Sequence, residues 1–89
     1  KGITMPYIAE DDRKQLMWVD QALEDVTKHK KLTAGELQYI IALAIKHSQP
    51  ENYQDMNDVM GALAGAQMEF YRRTVAPYED TKIVLNGDV

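Results

Sequence analysis

The densest polar group in the chain is Glu69-Phe70-Tyr71-Arg72-Arg73, followed closely by Tyr78, Glu79, Asp80 and Lys82. Two adjacent guanidiniums can fork onto phosphate oxygens, and a tyrosine beside them offers a ring face for stacking. Tyr71, Arg72, Arg73, Tyr78 and Lys82 therefore form the candidate ligand-binding set, with a small phosphorylated molecule as the chemistry it would suit. The same spacing has a structural account. Glu69 lies three and four residues before the two arginines, which are the distances at which helical side chains pair.

Asp55 and Asp58, three apart on one helix face, form a second arrangement, of the kind that ligates magnesium in all-α nucleotide pyrophosphohydrolases. Such a site needs further acids from other helices. Glu24, Asp25 and Glu36 are the candidates, although Asp55 also suits a capping role. His29 and His47 stand on different elements without matching ligand spacing, so no zinc site is expected and no metal or other cofactor is assigned. No Gly-x-Ser-x-Gly turn, Ser-His-Asp pattern or phosphate-cradling glycine loop can be drawn, so no catalytic residue is assigned. A local basic run, Lys28, Lys30 and Lys31, together with the arginines, leaves nucleic-acid binding as a further alternative.

These residues require helices to place them. After Pro6, the acids Glu10, Asp11 and Asp12 suit a helix start, and Leu16, Val19, Leu23 and Val26 recur at steps of three and four along one face. Lys28 to Lys31 set cations near that helix's last carbonyls. Thr33-Ala34-Gly35-Glu36 has capping-box spacing and opens a second helix, whose stripe Leu37, Ile40, Ile41, Ala44 and Ile45 is widened by Tyr39 and Leu43. His47-Ser48-Gln49-Pro50 ends it.

A third helix, long and mostly buried, is predicted from about Asn52 to about Ala76. Asn52 is its N-cap, with Asp55 three residues on. Met56, Met60, Leu63, Gln67, Phe70 and Thr74 alternate at steps of four and three, the seam of a helix packed lengthwise on another. Val59, Ala62 and Ala66 occupy one flank and Gly61 with Gly65 another, so the stretch is apolar on nearly every side. Each interior glycine costs about 1 kcal/mol relative to alanine, and close approach of a neighbouring backbone is the compensation expected. A second copy across a two-fold axis is the simplest cover. Pro77 ends or kinks this helix. Beyond it, residues 78–85 are either a short fourth helix stopped by Gly87, which the pattern favours, or an extended arm suggested by Ile83 and Val84.

Composition sets the limits around this reading. The 89 residues make one small domain with a marginal core of its own. Apolar content of 45% against 27% charged residues argues for folding rather than disorder, and a net charge of −4 disfavours nucleic acid and anionic membranes as partners. With no cysteine, disulfides, thiolate metal sites and cysteine nucleophiles are excluded. No apolar run approaches the roughly 20 residues that span a bilayer, and a cytoplasmic location is expected. Met5 resembles a natural start, with Lys1–Thr4 an N-terminal extension ahead of a single helical domain, 5–89.

Met5-Pro6-Tyr7-Ile8, Gly35-x-Leu37-x-Tyr39, Tyr53 with Asn57 and Gly61, Glu69-Phe70-Tyr71-Arg72-Arg73, Pro77-Tyr78-Glu79-Asp80, and Lys82 with Asn86-Gly87-Asp88-Val89 together resemble a family of small uncharacterised proteins of bacteriophages and bacterial genomes. The likeness covers nearly all of Met5 to Val89 and is most specific in the C-terminal half. It departs at Gln38, where the family has asparagine, and at Ala64, where it has glutamate. It implies a phage or prophage origin and brings no assigned activity. It also groups Asn57, Glu69, Tyr71, Arg72, Arg73, Tyr78, Glu79, Asp80, Lys82, Asn86 and Asp88, a set too polar for core packing alone.

The expectation is thus an all-α, three-helix bundle, with a short fourth helix favoured at its C-terminus and the long third helix at an oligomer interface. Its function is read as non-enzymatic and homo-oligomeric, a dimer first, with a host protein or small phosphorylated ligand as the further partner. A magnesium-dependent nucleotide hydrolase is the first alternative and a nucleic-acid-binding protein the second.

Overall fold

A computed structural model describes residues 8–89. Lys1–Thr4, expected as an N-terminal extension, and the first three residues of the opening motif, Met5 to Tyr7, lie outside the described residues. Every regular element among the described residues is helical. The chain divides into two compact units, one ending at Pro50 and one spanning Glu51–Val89.

In the first unit, the acidic trio begins α1, Glu10–Gln15, and α2 continues as Met17–Val26. The single helix expected here is interrupted at Leu16. Its φ of −97° and ψ of 6° leave the helical region, while its N–H is shared between the carbonyls of Asp12 and Arg13. Val19, Leu23 and Val26 stay on α2, and the Thr27 hydroxyl closes that helix by donating to the Leu23 carbonyl at 2.9 Å.

The helix α3, Ala34–Ser48, opens on the expected capping box. The Glu36 amide donates to Thr33 Oγ1 at 3.1 Å, and the Thr33 amide donates to Glu36 Oε1 at 2.9 Å. Lys30 joins it by an ion pair to the same Glu36 oxygen. One cation of the basic run thus reaches forward to α3 rather than back to the carbonyls of α2. At the far end Gln49 takes left-handed geometry, φ 55° and ψ 55°, and Pro50 prevents the helix from resuming.

The second unit is one uninterrupted helical run of 34 residues, from Tyr53 to Asn86. It comprises α4, Tyr53–Phe70, a π-helical turn, Tyr71–Val75, and α5, Ala76–Asn86. Asn52 caps its start by accepting from the Asp55 amide at 2.8 Å, while Asp55 Oδ2 accepts from the Glu51 amide at 3.1 Å. Gly87, with φ 89°, stops it, its N–H donating to the Ile83 carbonyl.

Two expectations change here. Pro77 neither ends the long helix nor leaves a separate short one, because the chain passes it by widening one turn. In regular α geometry the proline ring would press on the Arg73 carbonyl and leave it without a donor. Instead the Ala76 N–H reaches back five residues to the Tyr71 carbonyl, so the turn before the ring holds one residue more.

The second change concerns burial. Among the described residues none is buried, and the helix expected to be mostly buried carries Met56 at 52% exposure, Met60 at 65%, Leu63 at 36% and Phe70 at 61%. Taken by itself, the single helical run of the second unit leaves these side chains exposed.

Candidate functional site

The polar residues of the long helix are placed by the π turn that Pro77 imposes. Glu69, on the last turn of α4, lies beside both arginines at the head of that turn. Its carboxylate accepts from Arg72 Nη2 at 2.9 Å on Oε1 and 3.1 Å on Oε2, and from Arg73 Nε at 2.6 Å on Oε1. Partial burial of Glu69 acts to raise its pKa. The hydrogen bonds and charges of Arg72 and Arg73 outweigh that and hold it below the usual carboxylate value.

Tyr71 is held differently. Its hydroxyl donates to Glu79 Oε1 at 2.6 Å, eight residues along. In an unbroken α-helix, residues eight apart differ by about 80° around the axis, whereas residues seven apart nearly coincide. The extra residue of the π turn gives the eighth position the azimuth of a seventh, which brings Glu79 under the phenol. That hydrogen bond, then the Glu79 charge, push the Tyr71 phenol above its ordinary value, with Asp80 adding a smaller effect.

Tyr78 and Lys82 form a third small group, with Lys82 Nζ 5.5 Å from the centre of the Tyr78 ring in a cation–π arrangement. Of the five candidate ligand residues, Tyr71 and Arg72 border a shallow depression that Ala64, Gln67, Met68 and Glu69 also line. Arg73 shares the carboxylate of Glu69, and Tyr78 pairs with Lys82 farther along. The side chains of Arg72 and Arg73 are more than half exposed. The group forms an open, ion-paired strip on one helix. Ligand sites, in contrast, are concave and cover most of the molecule they hold.

The acids of the alternative metal site are occupied within their own helix. Asp58 Oδ1 accepts from Gln54 Nε2 at 3.0 Å, and Asp55 serves the helix start. Among the described residues no group of three or more His, Cys, Asp or Glu is placed to hold a metal ion. Among the described residues, too, no helix is long and apolar enough to cross a membrane. In the first unit, Val26, Leu32, Gly35, Glu36, Tyr39, Ile40 and Leu43 line an open apolar groove, which takes in Tyr39, Ile40 and Leu43 of the wide α3 stripe.

Sequence reasoning does not find the Tyr71–Glu79 bond, because an eight-residue separation is not a neighbour relation in regular helix. The one available signal is Pro77 inside a pattern that otherwise continues helically. The bond between Lys30 and Glu36 is hidden in a similar way, since the capping role already accounts for the acid.

No curated protein and no solved structure matches the chain. The profile of the family described as Domain of unknown function (DUF6899) matches residues 5–89, spanning nearly all of both units, and the chain belongs to that family.

Proposed function

We propose that the protein is a non-enzymatic, self-associating helical protein, a homodimer in its simplest form, that acts by binding. The observation that carries this reading is the exposure of Met56, Met60, Leu63 and Phe70 on a single helical run. Full burial of such a side chain is worth about 1.5–3 kcal/mol. With Met56, Met60 and Phe70 more than half exposed and Leu63 about a third exposed, several kcal/mol are forgone, a substantial part of the roughly 5–15 kcal/mol that stabilises a typical domain. A second copy supplies the missing cover.

On this reading the strip of Tyr71, Arg72, Arg73, Tyr78 and Lys82 is the surface for a further partner. In the phage or prophage setting that the sequence resemblance implies, that partner is a host protein or a small phosphorylated ligand met in the host cytoplasm. The openness of the strip and its internal ion pairs favour a macromolecular face over an enclosed small-molecule site. Binding-coupled folding makes stability depend on protein concentration. Thermal melting followed by circular dichroism over a hundredfold dilution tests this: the midpoint falls by several degrees, and a midpoint independent of concentration contradicts the reading.

A further inference from the structure

The apolar stripe of the second unit contains one polar side chain. Met56, Met60, Leu63, Gln67 and Phe70 follow one another at steps of four, three, four and three along α4, so Gln67 lies one turn from both Leu63 and Phe70 on the same face. Its amide group makes no hydrogen bond among the described residues, and residues 59–68 bear no charge that could serve it. While the stripe is exposed, solvent satisfies the amide.

A chain that covers Leu63 and Phe70 covers Gln67 with them. An amide taken out of water without a partner is costly, so the covering surface has to offer both a donor and an acceptor at that height. The stripes of α2 and α3, Val19 with Leu23 and Val26 and then Leu37 with Ile41 and Ala44, are aliphatic and offer neither. A second copy of the long helix offers both. Across a two-fold axis a residue can meet its own counterpart, and two glutamine amides are complementary in both directions, each carbonyl accepting from the other's NH2 group.

We propose that two copies associate through this stripe with Gln67 facing the partner's Gln67, the paired amides fixing the register of the dimer. This pairing rests on the self-association proposed above and adds the residue that selects its alignment. Sliding the two helices past each other still sets methionine, leucine and phenylalanine against one another at little cost. The slide buries two amides without partners, one on each chain, and is disfavoured for that reason.

Gln67→Glu and Gln67→Lys, made separately in the full chain, test the pairing. Both replacements keep a good helix former at the position. Each sets like charges against one another across the axis, and self-association at neutral pH and low salt is expected to weaken about tenfold or more in sedimentation equilibrium. An equimolar mixture sets carboxylate against ammonium and is expected to recover the wild-type affinity, as a heterodimer that native mass spectrometry resolves when one variant carries nitrogen-15. Where a single variant loses helix along with its partner, helix content returns with the mass on mixing. A mixture no tighter than either variant alone overturns the pairing and leaves self-association standing. Variants that associate as tightly as the unsubstituted chain overturn it as well, because Gln67 then lies outside the contact. An unsubstituted chain that stays monomeric at high micromolar concentration overturns both the pairing and the self-association beneath it.

Discussion

Tyr71 donates its phenolic hydrogen to Glu79 at 2.6 Å across a separation of eight residues, and it can do so because the turn between them is π-helical. The bond therefore reports on backbone geometry as well as on a side-chain contact.

The phenol of Tyr71 is pushed above its ordinary value, near 10, chiefly by the hydrogen bond to Glu79. A raised phenol stabilises the folded state below the ordinary value and loses that contribution as pH rises through the folded value. Carbon NMR of a labelled Tyr71 is expected to show it ionising above the ordinary phenol value, and Glu79→Gln to return it most of the way. An unchanged titration in that variant contradicts the assignment.

Pro77 is the cause of the π turn, so Pro77→Ala is expected to let the run settle into regular α geometry. Helix content rises, stability gains about 1 kcal/mol or more, and Glu79 rotates away from Tyr71. The diagnostic readout is the Tyr71 titration, which falls toward its ordinary value although neither partner was changed. A raised phenol in the variant would show that the π turn does not depend on the proline.

Local signals make the first layer of this architecture legible. Thr33 with Glu36 and Asn52 with Asp55 announce helix starts because a side-chain oxygen three residues from an unpaired amide has one efficient use. Gly87 announces a stop because the chain there needs a positive φ. The pairing of Glu69 with Arg72 and Arg73 comes from helix spacing alone. The break at Leu16 has no such marker, since leucine favours helix and nothing nearby competes for the backbone. Pro77 signals a disturbance without signalling a widened turn, because the residues on its C-terminal side decide between ending, kinking and widening. The burial expected for Met56, Met60 and Phe70 comes from their pattern. A pattern says that a stripe needs cover without saying which chain supplies it.

Acid sensitivity arises from two carboxylates. Glu36 is held below its ordinary value, near 4.5, first by the hydrogen bond from Lys30 and then by the Thr33 amide, and Glu69 is held below it by Arg72 and Arg73 against the opposing effect of partial burial. Depressed carboxylates stabilise the fold above the ordinary value, and the contribution is lost as pH falls through the folded values. Urea midpoints are expected to hold steady from neutral pH to about pH 5 and to decline below, with Glu36→Gln and Glu69→Gln each flattening part of the decline. Thr33→Ala removes the cap at every pH, at about 1 kcal/mol.

The glycines make a prediction about sign. In an isolated helix Gly61→Ala and Gly65→Ala each stabilise by about 1 kcal/mol. If the glycine face is an interface, the same substitutions weaken association by about tenfold or more while raising helix content at high dilution. Tighter association in both variants contradicts a close approach at that face.

The central claim is that the apolar positions of the Tyr53–Asn86 run are covered by a second copy. Sedimentation equilibrium of the full chain, whose monomer mass is 10.1 kDa, measures this directly over micromolar to high micromolar concentrations. The account predicts a mass at least twice the monomer's at the upper end, falling reversibly on dilution. A single species of monomer mass throughout, with helical circular dichroism intact, would contradict it.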